Sequence, residues 1–421
     1  MIAPPRARAG KVVLKYATAL FGQASLSLFH FGLNVVLVRR FEPHDYGVFA
    51  LAFVAAMMGA SLTNALAGTP VSVYTPGLSR RAPRLYLETL LSTVNVALVG
   101  GVLLITLLTT LAMHFPARTM LAFSAFVALY SARQYSRSLG FARRAPHVVL
   151  SGDLAYIGVS LLLVAVAGWS GASLDLTLVL GALALGNLAA IGLELQLLTG
   201  GRLRLLGWRS LRRYGDIWRQ SRWALIGAVT TLIASQAHSF IVSVLSGPAA
   251  YAPLAAGFVL FGPVRIGLQS WLSVMRPEMS VAVARRDRSL LQRIQKASTV
   301  IMVAGMALFG AALYLFWGPI DAFLYASRYS DAPMGWIVAG WCAVTLFTTL
   351  IATPSGMLQS CKAFHVLAMG TVYGAMLSLV AVAVLVLALG PLYSLLGILL
   401  AEAFLAGYLA LAVNREVAGR W

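Results

Sequence analysis

Twelve apolar stretches, each of about 20 residues, follow one another along this chain and restrict how it can fold. A stretch of that length crosses the hydrocarbon core of a bilayer as an α-helix. Within lipid, each backbone N–H and C=O needs a hydrogen-bond partner, and a helix supplies it from its own segment. The spans read as 15–38, 46–68, 86–111, 118–139, 147–168, 175–198, 222–246, 252–275, 297–317, 335–358, 366–389 and 391–413. They are rich in Leu and Ala and do not alternate apolar with polar, which argues against a barrel. Hydrophobic residues make up 60% of the chain and charged residues 11%, more apolar surface than a soluble fold of this length could bury. The longest gap between spans, 199–221, leaves no room for a soluble domain.

The first and seventh spans resemble each other at a constant offset. Ala19, Leu20, Gly22, Pro43, Tyr46, Ala50, Phe53 and Val54 recur 205 residues later as Ala224, Leu225, Gly227, Pro248, Tyr251, Ala255, Phe258 and Val259. The shared Pro-x-x-Tyr in the short turn after each span is the most specific part of this match. The expected fold is therefore an all-α polytopic membrane protein. It has 12 transmembrane helices in two pseudo-symmetric six-helix lobes around a central cavity. The expected boundaries are an N-terminal lobe over 1–198, a basic linker over 199–221 and a C-terminal lobe over 222–421.

The formal net charge of +19 would suit nucleic acid, but its distribution argues for topology instead. Alternate loops and both ends hold nearly all of the Lys and Arg, whereas the opposite loops hold only Arg39, Arg40, Arg118 and Arg328. The positive-inside rule then puts both termini in the cytoplasm and makes anionic membrane lipids, not nucleic acid, the partners of the basic loops. The N-terminus, MIAPPRARAGK, does not read as a cleavable signal. Cys342 and Cys361 are the only cysteines, which excludes a disulfide framework and a zinc pattern.

Wound as a helix, the linker puts Trp208, Leu211, Tyr214 and Trp218 on one face and Arg209, Arg212, Arg213, Asp216 and Arg219 on the other. That pattern predicts an amphipathic helix on the cytoplasmic leaflet, either a tether between lobes or a docking point for a partner enzyme. The basic run Arg285–Lys296 is expected to serve the second lobe in the same way. Pro70, Pro76, Pro263 and Pro354 fall within or beside spans and predict bends with freed carbonyls. Gly370 and Gly374 form a small-xxx-small pair suited to close helix contact.

The run Leu37-Val-Arg-Arg-Phe-Glu-Pro-His-Asp-Tyr-Gly-Val-Phe-Ala-Leu51 carries a family resemblance. It is similar to the helix 1 to helix 2 junction of the Wzx-type polysaccharide and O-antigen flippases, in which an Arg precedes a short Pro-containing turn and Tyr-Gly opens the next helix. Those flippases belong to the multidrug/oligosaccharidyl-lipid/polysaccharide (MOP) exporter superfamily, together with the MATE exporters and the lipid II flippase MurJ. The resemblance implies a transporter of the bacterial inner membrane. It would flip a polyprenyl-diphosphate-linked oligosaccharide from the cytoplasmic to the periplasmic leaflet by alternating access, for surface polysaccharide biosynthesis. A polysaccharide polymerase or glycosyltransferases would be its protein partners, and H+ or Na+ its coupling ion. The two extra helices expected of MurJ are not among the twelve spans, which argues against that member of the superfamily.

Ionisable side chains at membrane depth are costly and default to functional hypotheses. Arg265 stands 11 residues from Arg276, roughly 16 Å from the inner surface, too deep for easy snorkelling. It suits a substrate diphosphate or a structural ion pair, and Glu402, comparably deep in the last span, is one candidate partner. Arg133, Arg137 and Arg144 make a stripe on the fourth span, and Arg suits a diphosphate through its bidentate fork. Asp153 and Arg137 are equidistant from a turn centred near Ala145, so antiparallel neighbours would put them at equal depth, as an ion pair or a coupling site. Glu88 follows Arg84 by four residues and reads as a surface pair, with a coupling role as the alternative. Glu194 has no evident partner. Arg39, against the charge rule on the outer side, is a further diphosphate candidate. His30 and His238 read as packing residues or proton shuttles, and Gln23, Asn34, Asn64, Asn95, Asn187, Gln236 and Gln269 as cavity-lining or interhelical polar groups.

No Walker A loop, HExxH or GxSxG occurs, so direct ATP use and the corresponding hydrolytic chemistry are not expected. A membrane glycosyltransferase, ligase or polymerase would need a sizeable outer loop with catalytic acids. The outer acids Glu42, Asp45, Asp175, Asp321 and Asp331 sit in short loops. The expectation is a non-enzyme, with no metal and no organic cofactor. A small-molecule exporter of the same superfamily is the alternative to the flippase, and a non-transporting scaffold is a third reading.

Overall fold

The computed structural model describes residues 5–75, 78, 80–169, 174–202, 204–265, 267–268, 271, 275, 279, 282–283, 285–325, 328–329, 331–361 and 363–418, with side chains of α1 given mainly from Phe21 onward. Those residues form helices, and no strand occurs among them. In chain order the long helices are α1 (Pro5–Arg40), α2 (Pro43–Tyr74), α3 (Arg81–Ala112), α4 (Ala117–Ala142), α5 (Pro146–Trp169) and α6 (Leu176–Thr199). The second set is α7 (Gly215–Ser246), α8 (Pro248–Val259), α9 (Arg288–Leu315), α10 (Met334–Ser360), α11 (Phe364–Leu389) and α12 (Ser394–Ala418). Nine helices among the described residues are long and apolar enough to cross a membrane. Large apolar side chains such as Leu104, Leu108, Leu161, Leu308, Val380 and Leu387 are exposed, as lipid-facing helices require. This is an all-α polytopic membrane protein.

The chain divides into two compact units, Met1–Gly32 with Ala52–Val229 and Leu33–Leu51 with Thr230–Trp421. In the first unit α3 packs on α4, α4 on α6 and α5 on α6. In the second, α9 packs on α10, α10 on α12 and α11 on α12. The pairing scheme therefore repeats six helices later. A side-chain hydrogen bond repeats with it: Tyr46 donates to Asn34 over 3.1 Å, and Ser239 donates to Tyr251 over 2.9 Å. Asn34 and Ser239 stand at the same offset of 205 as the two tyrosines. Both tyrosines are buried, so each hydroxyl needs a partner, and in each case the preceding helix supplies it.

Proline shapes the helices at two points. Pro70 cannot donate to the carbonyl of Leu66, and a π turn over Asn64–Gly68 precedes it in α2. Tyr214 takes up the freed acceptor, its hydroxyl donating to the Leu66 carbonyl over 2.6 Å. Pro263 would deprive Val259 of a donor in the same way, and α8 ends there. Its helical course resumes at 262, with the Arg265 amide donating to the Phe261 carbonyl over 3.2 Å.

The linker differs from the expected amphipathic helix. Gly200 and Gly201 adopt φ of 67° and 76° and stop α6, and a short 3-10 helix over Trp208–Tyr214 runs straight into α7. Too short to be stable as a free helix, this segment docks on the first unit instead. The Leu206 amide donates to Thr93 over 2.9 Å, and Tyr214 and Ile217 pack on a buried cluster containing Val71, Leu91, Tyr135 and Leu139. Burial raises the Tyr214 hydroxyl above the ordinary tyrosine range. The side chains of Trp208, Arg209 and Asp216 lie outside the described residues.

The basic run from Arg285 also differs from a second linker helix, because most of it is the start of α9. Arg286 turns the chain with φ 53°, and Asp287 caps α9 by accepting from the Leu290 amide over 2.9 Å. That bond and one from Ser289 hold the Asp287 carboxyl below its usual range. Gly370 lies against Tyr408 of α12, where an added Cβ would stand 2.7 Å from the ring.

Candidate functional site

Four charged side chains of the first unit converge between α4, α5 and α6. The turn joining α4 to α5 makes this possible. The Arg144 amide donates to the Phe141 carbonyl and the Ala145 amide to that of Gly140, with Arg144 itself at φ 57°. The chain then doubles back so that α5 carries Asp153 past the arginines of α4. Arg133 hydrogen-bonds Asp153 through Nη2, and its Nε stands 3.9 Å from Glu194 Oε1 on α6. Arg137 Nε reaches Asp153 at 3.3 Å and its Nη2 reaches Gln23 of α1 at 3.5 Å. Ser136 donates to the other Glu194 oxygen.

Two guanidiniums thus meet two carboxylates. Arg133 is 4% exposed, Asp153 1% and Glu194 0%. Isolated charges could not be held so deep, and mutual pairing is the condition for their presence. Tyr156 packs on the cluster, its ring 4.9 Å from the Arg133 guanidinium and its hydroxyl 3.1 Å from His30 Nε2. His30 also lies against Phe53 and Tyr130, an aromatic packing site. Gly152 is needed because a Cβ there would come within 2.1 Å of Glu194 Oε1. Sequence reasoning left Glu194 without a partner and did not raise Ser136 or Gly152. The available signal was that Arg133, Ser136 and Arg137 share one face of α4.

Glu88 is more than a surface pair. It is buried, accepts from Arg84 over 3.1 Å within α3, and accepts from Arg143 of α4 over 2.5 Å. Arg143 also donates to the Leu198 carbonyl, so one guanidinium ties α3, α4 and the end of α6 together.

In the second unit the candidates are dispersed. Arg265 is exposed, with its guanidinium 5.2 Å from the centre of the Phe258 ring, and no carboxylate pairs with it among the described residues. Glu402 accepts from Thr348 of α10 over 3.3 Å, not from Arg265. Arg39 lies over the Phe323 ring at 4.7 Å, and Glu42 pairs with Arg328. His238 packs edge-on against Trp341 with 5.5 Å between ring centres. Arg276, Gln269 and Pro76 lie outside the described residues. No group of three or more His, Cys, Asp or Glu side chains gathers as a metal set among the described residues.

No family model matches the sequence, and neither does any curated protein. Solved structures do match. An inward-facing conformation of a multidrug resistance MATE family transporter of the MOP superfamily aligns with TM-score 0.71 at 12% identity, over 94% of this chain and 95% of that one. The fold is that of the MATE transporters. An outward-facing conformation of such a transporter gives 0.60 at 11% identity, over 96% and 94% of the two chains. A MATE crystal structure in the straight conformation gives 0.59 at 14% identity, over 97% and 96%.

Proposed function

We propose that this protein is a membrane transporter that exports its substrate by alternating access between two six-helix lobes. The observation that carries this reading is the duplicated helix-pairing scheme in a MATE-type fold along nearly the whole chain. Such repeats support a rocking mechanism because each lobe can move as a body. The compensated Arg133–Asp153–Glu194 cluster fits a lobe that must stay rigid while it moves. The carboxylates of that cluster and Glu402 are the candidates for handling H+ or Na+.

A substrate class follows from Arg265. An exposed guanidinium that no carboxylate pairs among the described residues favours an anionic cargo, and its planar fork matches phosphate oxygens. Together with the Leu37–Leu51 junction, this supports transfer of a polyprenyl-diphosphate-linked oligosaccharide to the periplasmic leaflet of a bacterial inner membrane. A small-molecule exporter uses the same scaffold, and the likeness to multidrug transporters favours it. Proteoliposomes decide between them. Flipping would appear as protein-dependent exposure of a fluorescent lipid-linked oligosaccharide to an impermeant quencher, and it should be lost in Arg265→Ala and partly kept in Arg265→Lys. Drug-cation export without lipid movement would assign the exporter. Movement of neither cargo would remove the transport reading.

A further inference from the structure

We infer that the first unit carries a binding site for the phosphate of an anionic phospholipid. The site is a cavity of about 730 Å³ between α3, α4, the end of α6 and the start of the linker. Arg81, Arg84, Arg143, Arg202 and Arg204 line it, with Glu88 as the only acidic lining residue. Leu85, Leu139, Leu195 and Leu198 form its apolar wall.

The charges do not balance within the protein. Glu88 is already engaged by both Arg84 and Arg143, at 3.1 and 2.5 Å. Arg81, Arg202 and Arg204 are exposed, and no carboxylate pairs with them among the described residues. Three guanidiniums that line one cavity without an internal counter-charge make it attractive to an anion. The start of α3 adds to the pull. Arg80 precedes it in an extended conformation without a side-chain cap, so the amides of Arg81 and Ala82 stay open to a ligand; Pro83 has no N–H, and the Arg84 amide bonds the Arg80 carbonyl.

The placement favours a lipid as the source of the phosphate. The cavity lies where α3 begins and α4 and α6 end, the end at which the arginine distribution puts the cytoplasmic leaflet. Basic pockets between helices at that level suit phospholipid headgroups, and the leucine wall gives an acyl chain a surface that a free anion would not use. Two phosphates on one headgroup, as in cardiolipin, would span the separate arginines.

The test uses the full-length protein in mild detergent, titrated with cardiolipin, phosphatidylglycerol or phosphatidylcholine and read by native mass spectrometry. The variant is Arg81→Gln/Arg202→Gln/Arg204→Gln, which leaves the Glu88 pairs intact. The control, Arg285→Gln/Arg288→Gln/Arg415→Gln, removes the same charge elsewhere. Each arginine near an anionic headgroup is worth roughly five-fold in affinity, so the variant should bind cardiolipin about a hundred-fold more weakly. The control should weaken binding far less than the variant does, because its arginines do not line the cavity, and phosphatidylcholine should bind neither preferentially. Equal losses in variant and control, with both proteins monodisperse and melting as the parent does, would overturn the site. Displacement of cardiolipin by millimolar inorganic phosphate would overturn the lipid assignment in favour of a free anion.

Discussion

Replacing Asp153 by Asn keeps the shape of the side chain and removes one of four compensating charges. The two guanidiniums of α4 would then share Glu194 alone, whose nearer oxygen is 3.9 Å from Arg133 Nε. Because Arg133 and Asp153 are almost fully buried, the orphaned charge cannot be rescued by water, and breaking such a pair costs about 3–5 kcal/mol. Arg137→Gln is milder. The Arg137 side chain is 20% exposed, and Arg133 keeps both carboxylates, so a loss of about 1–2 kcal/mol is expected. The double variant Asp153→Asn/Arg137→Gln leaves a neutral Arg133–Glu194 pair and should recover part of the Asp153→Asn loss. Apparent melting temperatures of the purified protein in one detergent should fall in the order parent, Arg137→Gln, double variant, Asp153→Asn. A double variant no more stable than Asp153→Asn would refute the charge-balance reasoning and leave the cluster as independent hydrogen bonds.

Gly152→Ala forces a Cβ to 2.1 Å from Glu194 Oε1 and should cost about 1–3 kcal/mol of stability, less in a Glu194→Ala background, measured by the same melts. Tyr214→Phe strips the donor from the Leu66 carbonyl and should cost about 1 kcal/mol. Pro70→Ala should shrink that cost because it returns a backbone amide to Leu66, and an unchanged cost would show that the two are unrelated. Tyr46→Phe and Tyr251→Phe each remove the hydrogen bond of a buried tyrosine and should lower stability by about 1 kcal/mol.

The local features of the fold were legible because they depend on chain-neighbour physics. Pro43 and Pro248 open helices, Gly200 closes one, and span length follows from bilayer thickness. The Arg137–Asp153 approach was legible for the same reason: two residues equidistant from a tight helical turn must come to the same depth. Glu194 was not, since its meeting with Arg133 depends on how α6 crosses α4, and no spacing within either helix encodes that. The linker was misread because its helical wheel is amphipathic whether or not a docking surface is nearby. Hydrogen bonds from Leu206 and Tyr214 to the first unit outweigh the propensity of so short a helix.

The duplication also separates scaffold from chemistry. Beyond the matched first helices, α5 and α6 begin 218 residues before α11 and α12. At that offset Gly152 meets Gly370, and both are glycines pressed against the following helix, so the close contact that builds each lobe is kept. The charges are not kept: Asp153 falls on Thr371 and Glu194 on Ala412. At the offset of 205, Arg265 falls on Ala60. A buried charge is stable only with its partners, so the acids of the first unit and the arginines facing them stand or fall as a set. The second unit has no such set among its described residues and keeps an exposed Arg265 instead. The compensated charges stiffen the first unit, and under the proposed function the second unit would supply the cation that meets an anionic cargo.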